Sequence, residues 1–323
     1  MDDASPRSLA AFCKVLSKER LWLPDYLNRL VAYAVDKPEW LFPITLCHLP
    51  YVCFLSGLIP DKAEQLAKVV SSVVLRNFDD LPTLEVLEAA VALGFFQCLE
   101  SDLIHRIFAL PFMERLDREL TGFVGSEYSD RHVREVLAML NRITCLDFPE
   151  EHVPWFHDQF YATRALNSKE STLFDAAAAR RHFTTLQGDV QDNLTHVLGG
   201  SQFVQCHVFA PYSYHLQLCC ELDASKAPVP LNSSSGEHRK VPHSQAPAAS
   251  RTAHKRIAVL VLGEKSFCDN YPQITGYQQL KIRHLEILGY QLVLVPFYEW
   301  NSMKLAEPSA KQDYLRGKIF GIS

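Results

Sequence analysis

Ile257-Ala258-Val259-Leu260-Val261-Leu262, then Gly276 through Leu288, then Leu292-Val293-Leu294-Val295, is the stretch that decides the C-terminal fold. The first and last segments are uninterrupted apolar runs too short for a buried helix, which predicts strands covered on both faces. Between them Leu280, Leu285 and Leu288 recur at helical spacing, Gly276 opens the helix and Gly289 stops it. A closing helix follows, marked by Tyr314, Leu315 and Ile319. Strand, helix, strand, helix predicts a small α/β unit over residues 255–323.

Upstream, Asp223 to His254 holds four prolines, the triplet Ser233-Ser234-Ser235 and almost no large apolar side chain, so 223–254 is expected to be a flexible linker. Before it the hydrophobic period is two: Phe203, Val204 and Val208, then Tyr214, Leu216, Leu218 and Cys220, predict two short strands around Pro211. From Ser168 to about Gly199 the pattern is helical, through the run at 174–181. Leu9 to about Phe160 reads as successive helices broken at proline, glycine or aspartate. Pro24 opens one, Pro60 another with Leu66, Val69, Val70 and Val73 as its buried stripe, Pro82 a third, and Ser129-Asp130 caps a fourth. The expected fold is mainly α: a solenoid-like helical repeat region over 1–125, a second region over 126–222 that is helical and then stranded, the linker, and the α/β unit. No strict repeat period is visible, and a compact helical bundle is the alternative arrangement.

Composition narrows the function. The 323 residues are 48% hydrophobic and 21% charged, the balance of a chain that buries real cores. Apolar runs near residue 50 are interrupted by Pro43, His48, Pro50 and Gly57, so no membrane span is expected and the chain reads as soluble. Nine cysteines, an odd count without a Cys-x-x-Cys, fit a reducing compartment. Cys47-His48 and Cys206-His207 lack a second ligand pair at metal spacing and read as core residues. The net charge of −5 divides unevenly: from Lys255 onward nine Lys or Arg face six acids, so a polyanion would find the C-terminal unit more favourable.

Specific motifs then stand out. Phe267-Cys268, Gly276, Lys281-x-Arg283-His284-Leu285, Leu288-Gly289-Tyr290, Val295-Pro296-Phe297-Tyr298-Glu299-Trp300, Tyr314-Leu315 and Lys318 together resemble the RAP domain of the FAST kinase domain-containing proteins. Leu140-Asn141-x-x-x-Cys145-Leu146-x-Phe148-Pro149 followed by Pro154-Trp155-Phe156-His157 resembles the region those proteins carry before that domain, and the preceding helices resemble their FAST regions. The resemblance implies an RNA-binding protein of the mitochondrial matrix that acts on transcript stability or processing, with other mitochondrial RNA-processing proteins as partners. It also implies a C-terminal fold related to the PD-(D/E)xK nucleases. The transit peptide and long leader usual in the family are not visible, since Met1-Asp2-Asp3-Ala4-Ser5 is acidic, which marks the chain as a fragment, an isoform or an incomplete gene model.

Within the α/β unit, Lys281 and His284 are expected to share an exposed helix face with Arg283 at its edge, a basic ridge for phosphates. Tyr298 and Trp300 follow the second strand, where exposed rings can stack on unpaired bases, and Lys265 and Lys304 lengthen the positive track. Catalysis is not expected. A nuclease of the implied fold needs carboxylates to hold Mg²⁺ against a phosphate, yet Leu260 and Leu262 stand at the acidic strand positions and Gln278 where an aspartate would serve; Glu264, Asp269 and Glu299 are the acids remaining nearby. Kinase chemistry lacks its glycine-rich loop, His-Arg-Asp and Asp-Phe-Gly. No cofactor, metal ion or small-molecule substrate is expected. The rival readings are a metal-dependent RNA endonuclease and a protein-protein scaffold in mitochondrial RNA granules.

Overall fold

The computed structural model describes residues 5–16, 18–122, 127–156, 185–231 and 254–321. The expected helix over 174–181 and most of the expected linker, 232–253, lie outside the described residues. The rest is mostly helical with one four-stranded sheet. It divides into two compact units: Met1–Phe156 with Ser266–Leu280, the helical unit, and His157–Lys265 with Lys281–Ser323, the sheet unit.

The helical unit holds α1 (Pro6–Leu16), α2 (Pro24–Asp36), α3 (Pro43–Ser56), α4 (Ala63–Arg76), α5 (Thr83–Phe95), α6 (Ser101–Ile107), α7 (Leu110–Gly122) and α8 (Glu127–Asp147). Proline opens α2 and α3 at a position where no helical N–H bond is lost. α1, α3, α5 and α8 pack in series and α2 lies against α4. Being enclosed explains why α3 and α5 are apolar nearly all round rather than striped. α3 continues through Pro50, so three of the four residues taken as interruptions, Pro43, His48 and Pro50, lie within one helix. Among the described residues, no helix is long and apolar enough to cross a membrane.

Local expectations shift in two places. α4 starts at Ala63, three residues after Pro60, and its buried stripe is Leu66, Ala67, Val70 and Val74, rotated by about one residue from the expected one. Ser129 and Asp130 are not caps, because α8 already begins at Glu127.

Segment 266–280 completes this unit. The Cys268 thiol donates to the Ser56 carbonyl, the Gln279 amide donates to the carbonyls of Gly57 and Ile274 at 2.8 Å each, and the Tyr51 and Tyr277 hydroxyls lie 2.8 Å apart. Gly276 presses on Phe54 so closely that an added Cβ would stand 2.0 Å from the Phe54 carbonyl oxygen, which only glycine avoids. On α8, buried Asn141 clamps the Pro154-Trp155-Phe156 turn: its carbonyl accepts from the Phe156 N–H at 2.9 Å and its amide donates to the Pro154 carbonyl at 3.0 Å. That bond pair gives the Asn and Pro-Trp-Phe elements of the motif a physical reason to occur together.

The sheet unit contains α9 (Thr185–Leu198), β1 (Gln205–Ala210), β2 (Tyr214–Leu222), β3 (Lys255–Leu262), β4 (Tyr290–Pro296), the C-terminal turns of α10 (Gly276–Ile287), α11 (Phe297–Ser302) and α12 (Pro308–Phe320). The strand order is β1-β2-β3-β4; β1-β2 and β2-β3 are antiparallel, β3-β4 parallel. β2 alternates buried and half-buried residues whereas β3 is buried almost throughout, as its continuous apolar run requires. Val190, Leu194 and Leu198 of α9, Leu315 and Ile319 of α12, and Trp300 of α11 share a core with Val259, Val261, Val293 and Val295. Residues 223–231, expected as linker, are instead tied down. Asp223 Oδ1 accepts from the Ser225 and Ala227 N–H groups at 2.8 Å, a local turn, and Val229 N–H bonds to the Glu221 carbonyl.

Candidate functional site

In sheets with parallel strands, ligands gather beyond the carboxyl ends of those strands. Here the last paired residues of β3 and β4 are Leu262 and Pro296, and the antiparallel register brings the start of β2 to the same end. Lys265, three residues beyond Leu262, is exposed. β4 passes directly into α11, and Tyr298 on its first turn is 42% exposed, its ring edge-on to Phe297. Lys304, just past α11, is exposed as well. Lys265 and Tyr298 therefore follow closely on the parallel strands, and Lys304 follows the short helix after β4.

Trp300 does not join them. α11 is helical, so residues two apart point in nearly opposite directions, and with Tyr298 outward Trp300 turns inward to 1% exposure. Its indole N–H donates to Asp189 Oδ2 at 2.8 Å; Lys311 binds the same oxygen and lies over the indole ring. Burial alone would raise the Asp189 carboxyl, but these donors outweigh it and hold it below its ordinary value.

The α10 ridge is corrected in the same way. His284 is 0% exposed, its Nδ1 2.6 Å from the Tyr214 hydroxyl. Lys281, one turn earlier on the same face, follows it inward, and its ammonium donates to the His215 carbonyl at 2.7 Å. Arg283 is half-buried. The expected exposed face is thus a polar edge built into the unit, with the helix's outer surface carried by Glu286 and Ile287.

Sequence reasoning placed a break between two strands at Pro211 but missed the backbone and the histidine pair around it. His207 in β1 and Tyr212 and Ser213 in the turn all take left-handed backbone conformations without being glycine, at φ 53, 60 and 56°. Such strain persists only where the surroundings hold it, and it concentrates at functional sites. The turn stacks the rings of His207 and His215, with nitrogens 3.1 Å apart. Burial, then the charges of Lys281 and His207, lower the His215 pKa to about 4, so its imidazole is neutral at physiological pH. No symmetry about Pro211 signals the pair, because the register sets Phe209, not His207, opposite His215.

The acids that a cutting site would need are dispersed. Leu260 and Leu262 are buried, and Glu299 accepts from the Tyr314 hydroxyl at 2.6 Å and from Lys318 at 2.9 Å. Asp269 pairs with Arg20 at 2.8 Å within the helical unit. Among the described residues, no group of three or more His, Cys, Asp or Glu is arranged to hold a metal ion.

Family models match two parts of the chain: FAST kinase-like protein, subdomain 2, over residues 134–230, and the RAP domain over 259–318. The chain is similar to FAST kinase domain-containing protein 1, mitochondrial, of Mus musculus, at 29% identity over 334 residues, covering 99% of this chain and 38% of that protein. The Xenopus tropicalis protein of the same name is 34% identical over 254 residues, 76% of this chain and 29% of its own length. FAST kinase domain-containing protein 3, mitochondrial, of Homo sapiens is 24% identical over 316 residues, 95% of this chain and 42% of that protein. The chain spans less than half the length of each of these relatives.

Proposed function

Because this chain is a relative of the FAST kinase domain-containing proteins, carrying matches to their subdomain 2 and RAP domain, we propose that it binds single-stranded RNA without cutting it. The contact is the surface beyond β3 and β4: Lys265 and Lys304 take phosphates and Tyr298 stacks on a base, with Lys281 and Arg283 alongside and His284 and Trp300 supporting from within. The observation that carries this reading is the exchange of chemistry at the strand ends, where exposed Lys265 and Tyr298 border buried, aliphatic Leu260 and Leu262. The relatives are named mitochondrial, and we infer the same compartment, the matrix, for this chain, with a role in the stability or processing of transcripts alongside other RNA-processing proteins.

Two finer readings accompany it. The serial packing of α1, α3, α5 and α8 supports a solenoid-like array, and the parallel β3-α10-β4 connection supports a nuclease-like scaffold that has kept its shape and lost its acids. A metal-dependent nuclease is the weaker reading, since Glu299 and Asp269 are each engaged by a cation. The test is filter binding of the full chain to single-stranded RNA across a salt series. Lys265→Glu with Lys304→Glu should weaken all sequences alike and flatten the log-log salt slope by about 1.4, the share of two phosphates. Unchanged affinity and slope would remove this surface from the interface.

A further inference from the structure

A second feature suited to RNA lies in the helical unit. The rings of Trp22 and Tyr271 are stacked nearly parallel, 6.5 Å between centroids and 20° between planes. Trp22 is half-buried and packs against the helical core, whereas Tyr271 is 56% exposed. One ring is therefore anchored and the other stands in solvent.

Three sets of polar contacts hold this pair in place. Asn270 accepts from the Trp22 N–H at 2.7 Å and donates to the Trp22 carbonyl at 3.0 Å. The Asp269 N–H donates to the Arg20 carbonyl at 2.9 Å, and Arg20 pairs with the Asp269 carboxylate at 2.8 Å. Pro272 then restricts Tyr271 to extended conformations. The same bonds seat segment 266–280 in the helical unit, and a tyrosine fixed beforehand is spared most of the ordering cost of binding a flat ligand.

We propose that Trp22 and Tyr271 form a stacking platform for an unpaired base of single-stranded RNA. A base against an aromatic ring is recognised through its π face, so the platform accepts any base and needs no net positive charge, in keeping with the mixed charges of Lys18, Glu19, Arg20 and Asp269 around it. The proposal rests on the RNA-binding reading above and extends it to a second, uncharged contact.

The test is anisotropy with a labelled oligouridine of about 12 nucleotides and the full chain over a salt series. Tyr271→Ala should lower affinity roughly 5- to 150-fold at every salt concentration, leaving the slope and the thermal midpoint unchanged, and Tyr271→Phe should restore it. Wild-type affinity in Tyr271→Ala, while Lys265→Glu with Lys304→Glu still weakens binding, would overturn the platform and leave the RNA reading standing. A changed slope would overturn it too, by assigning the effect to charge. Full displacement of the oligomer by uridine monophosphate at equal base concentration would assign the rings to free nucleotides instead. Failure of the wild-type chain to bind the oligomer would sink the underlying reading itself.

Discussion

The helical unit and the sheet unit differ in the polar side chains that tie their segments together. In the helical unit amides lead: Asn141, Asn270 and Gln279 each bond backbone groups of a neighbouring segment, with Arg115 donating to the Phe78 carbonyl besides. In the sheet unit cations lead, beside the Gln217 amide that bonds both the N–H and the carbonyl of Val261. Lys311 is held by Asp189, Lys318 by Glu299, Lys281 by the His215 carbonyl, and Arg256 by the Leu288 carbonyl beneath the Tyr290 ring. The basic excess of the C-terminal segment is thus a property of composition more than of surface, because structure absorbs much of it. Charge tallies locate a basic segment; pairing decides which of its cations meet solvent.

Substituting Trp300 breaks this contrast most severely. Trp300→Ala removes the indole from the sheet core and strips Asp189 of a donor, with an expected loss of about 3 to 5 kcal/mol in the unfolding free energy of the sheet unit. Denaturant titration reads this directly. Intact stability with reduced RNA affinity would instead return Trp300 to the binding surface.

The corresponding probe of the helical unit is Gly276→Ala. The new methyl meets the Phe54 carbonyl and ring, and backbone has to move, for an expected loss of about 1 to 3 kcal/mol. Hydrogen exchange should show α3 opening more readily; protection unchanged there would mean that segment 266–280 is only loosely held.

The smallest effect is one of pH, and it takes opposite signs in the two units. His215 has a folded pKa of about 4 against an ordinary 6.5, so on acidification the unfolded chain takes up this proton first. Its contribution, present above pH 6.5, is lost as pH falls toward 4. His132 is raised, first by its hydrogen bond to Glu88, so its contribution is present below its ordinary value and lost as pH rises through the raised one. His215→Gln should therefore flatten the acid limb of the stability curve and His132→Gln the neutral limb. Identical curves for wild type and both variants would show that neither histidine is coupled to folding.

Much of the architecture is legible in sequence because it is local. Pro24 stands at a helix start and Pro82 immediately before one, period two marks β2, and the apolar runs at 257–262 and 292–295 mark β3 and β4. What escapes is pairing over distance. β2 joins β3 from across the expected linker, and no local pattern encodes that register. The same limit governs the site. Lys265, Tyr298 and Lys304 are exposed, whereas Tyr214 draws His284 inward and Asp189 draws Trp300, partners 70 and 111 residues away. Even so, the opposed directions of Tyr298 and Trp300 follow from recognising one short helix after Pro296.

The RAP match covers 259–318, yet residues 266–280 in its midst fill a socket made by Tyr51, Phe54 and Gly57. The domain is accordingly not a portable cassette. A hybrid that received only the C-terminal sequence would import a plug with no matching recess, and the donor would be left with a hole beside α3. Exchange between paralogues should succeed only when both halves of that fitting travel together.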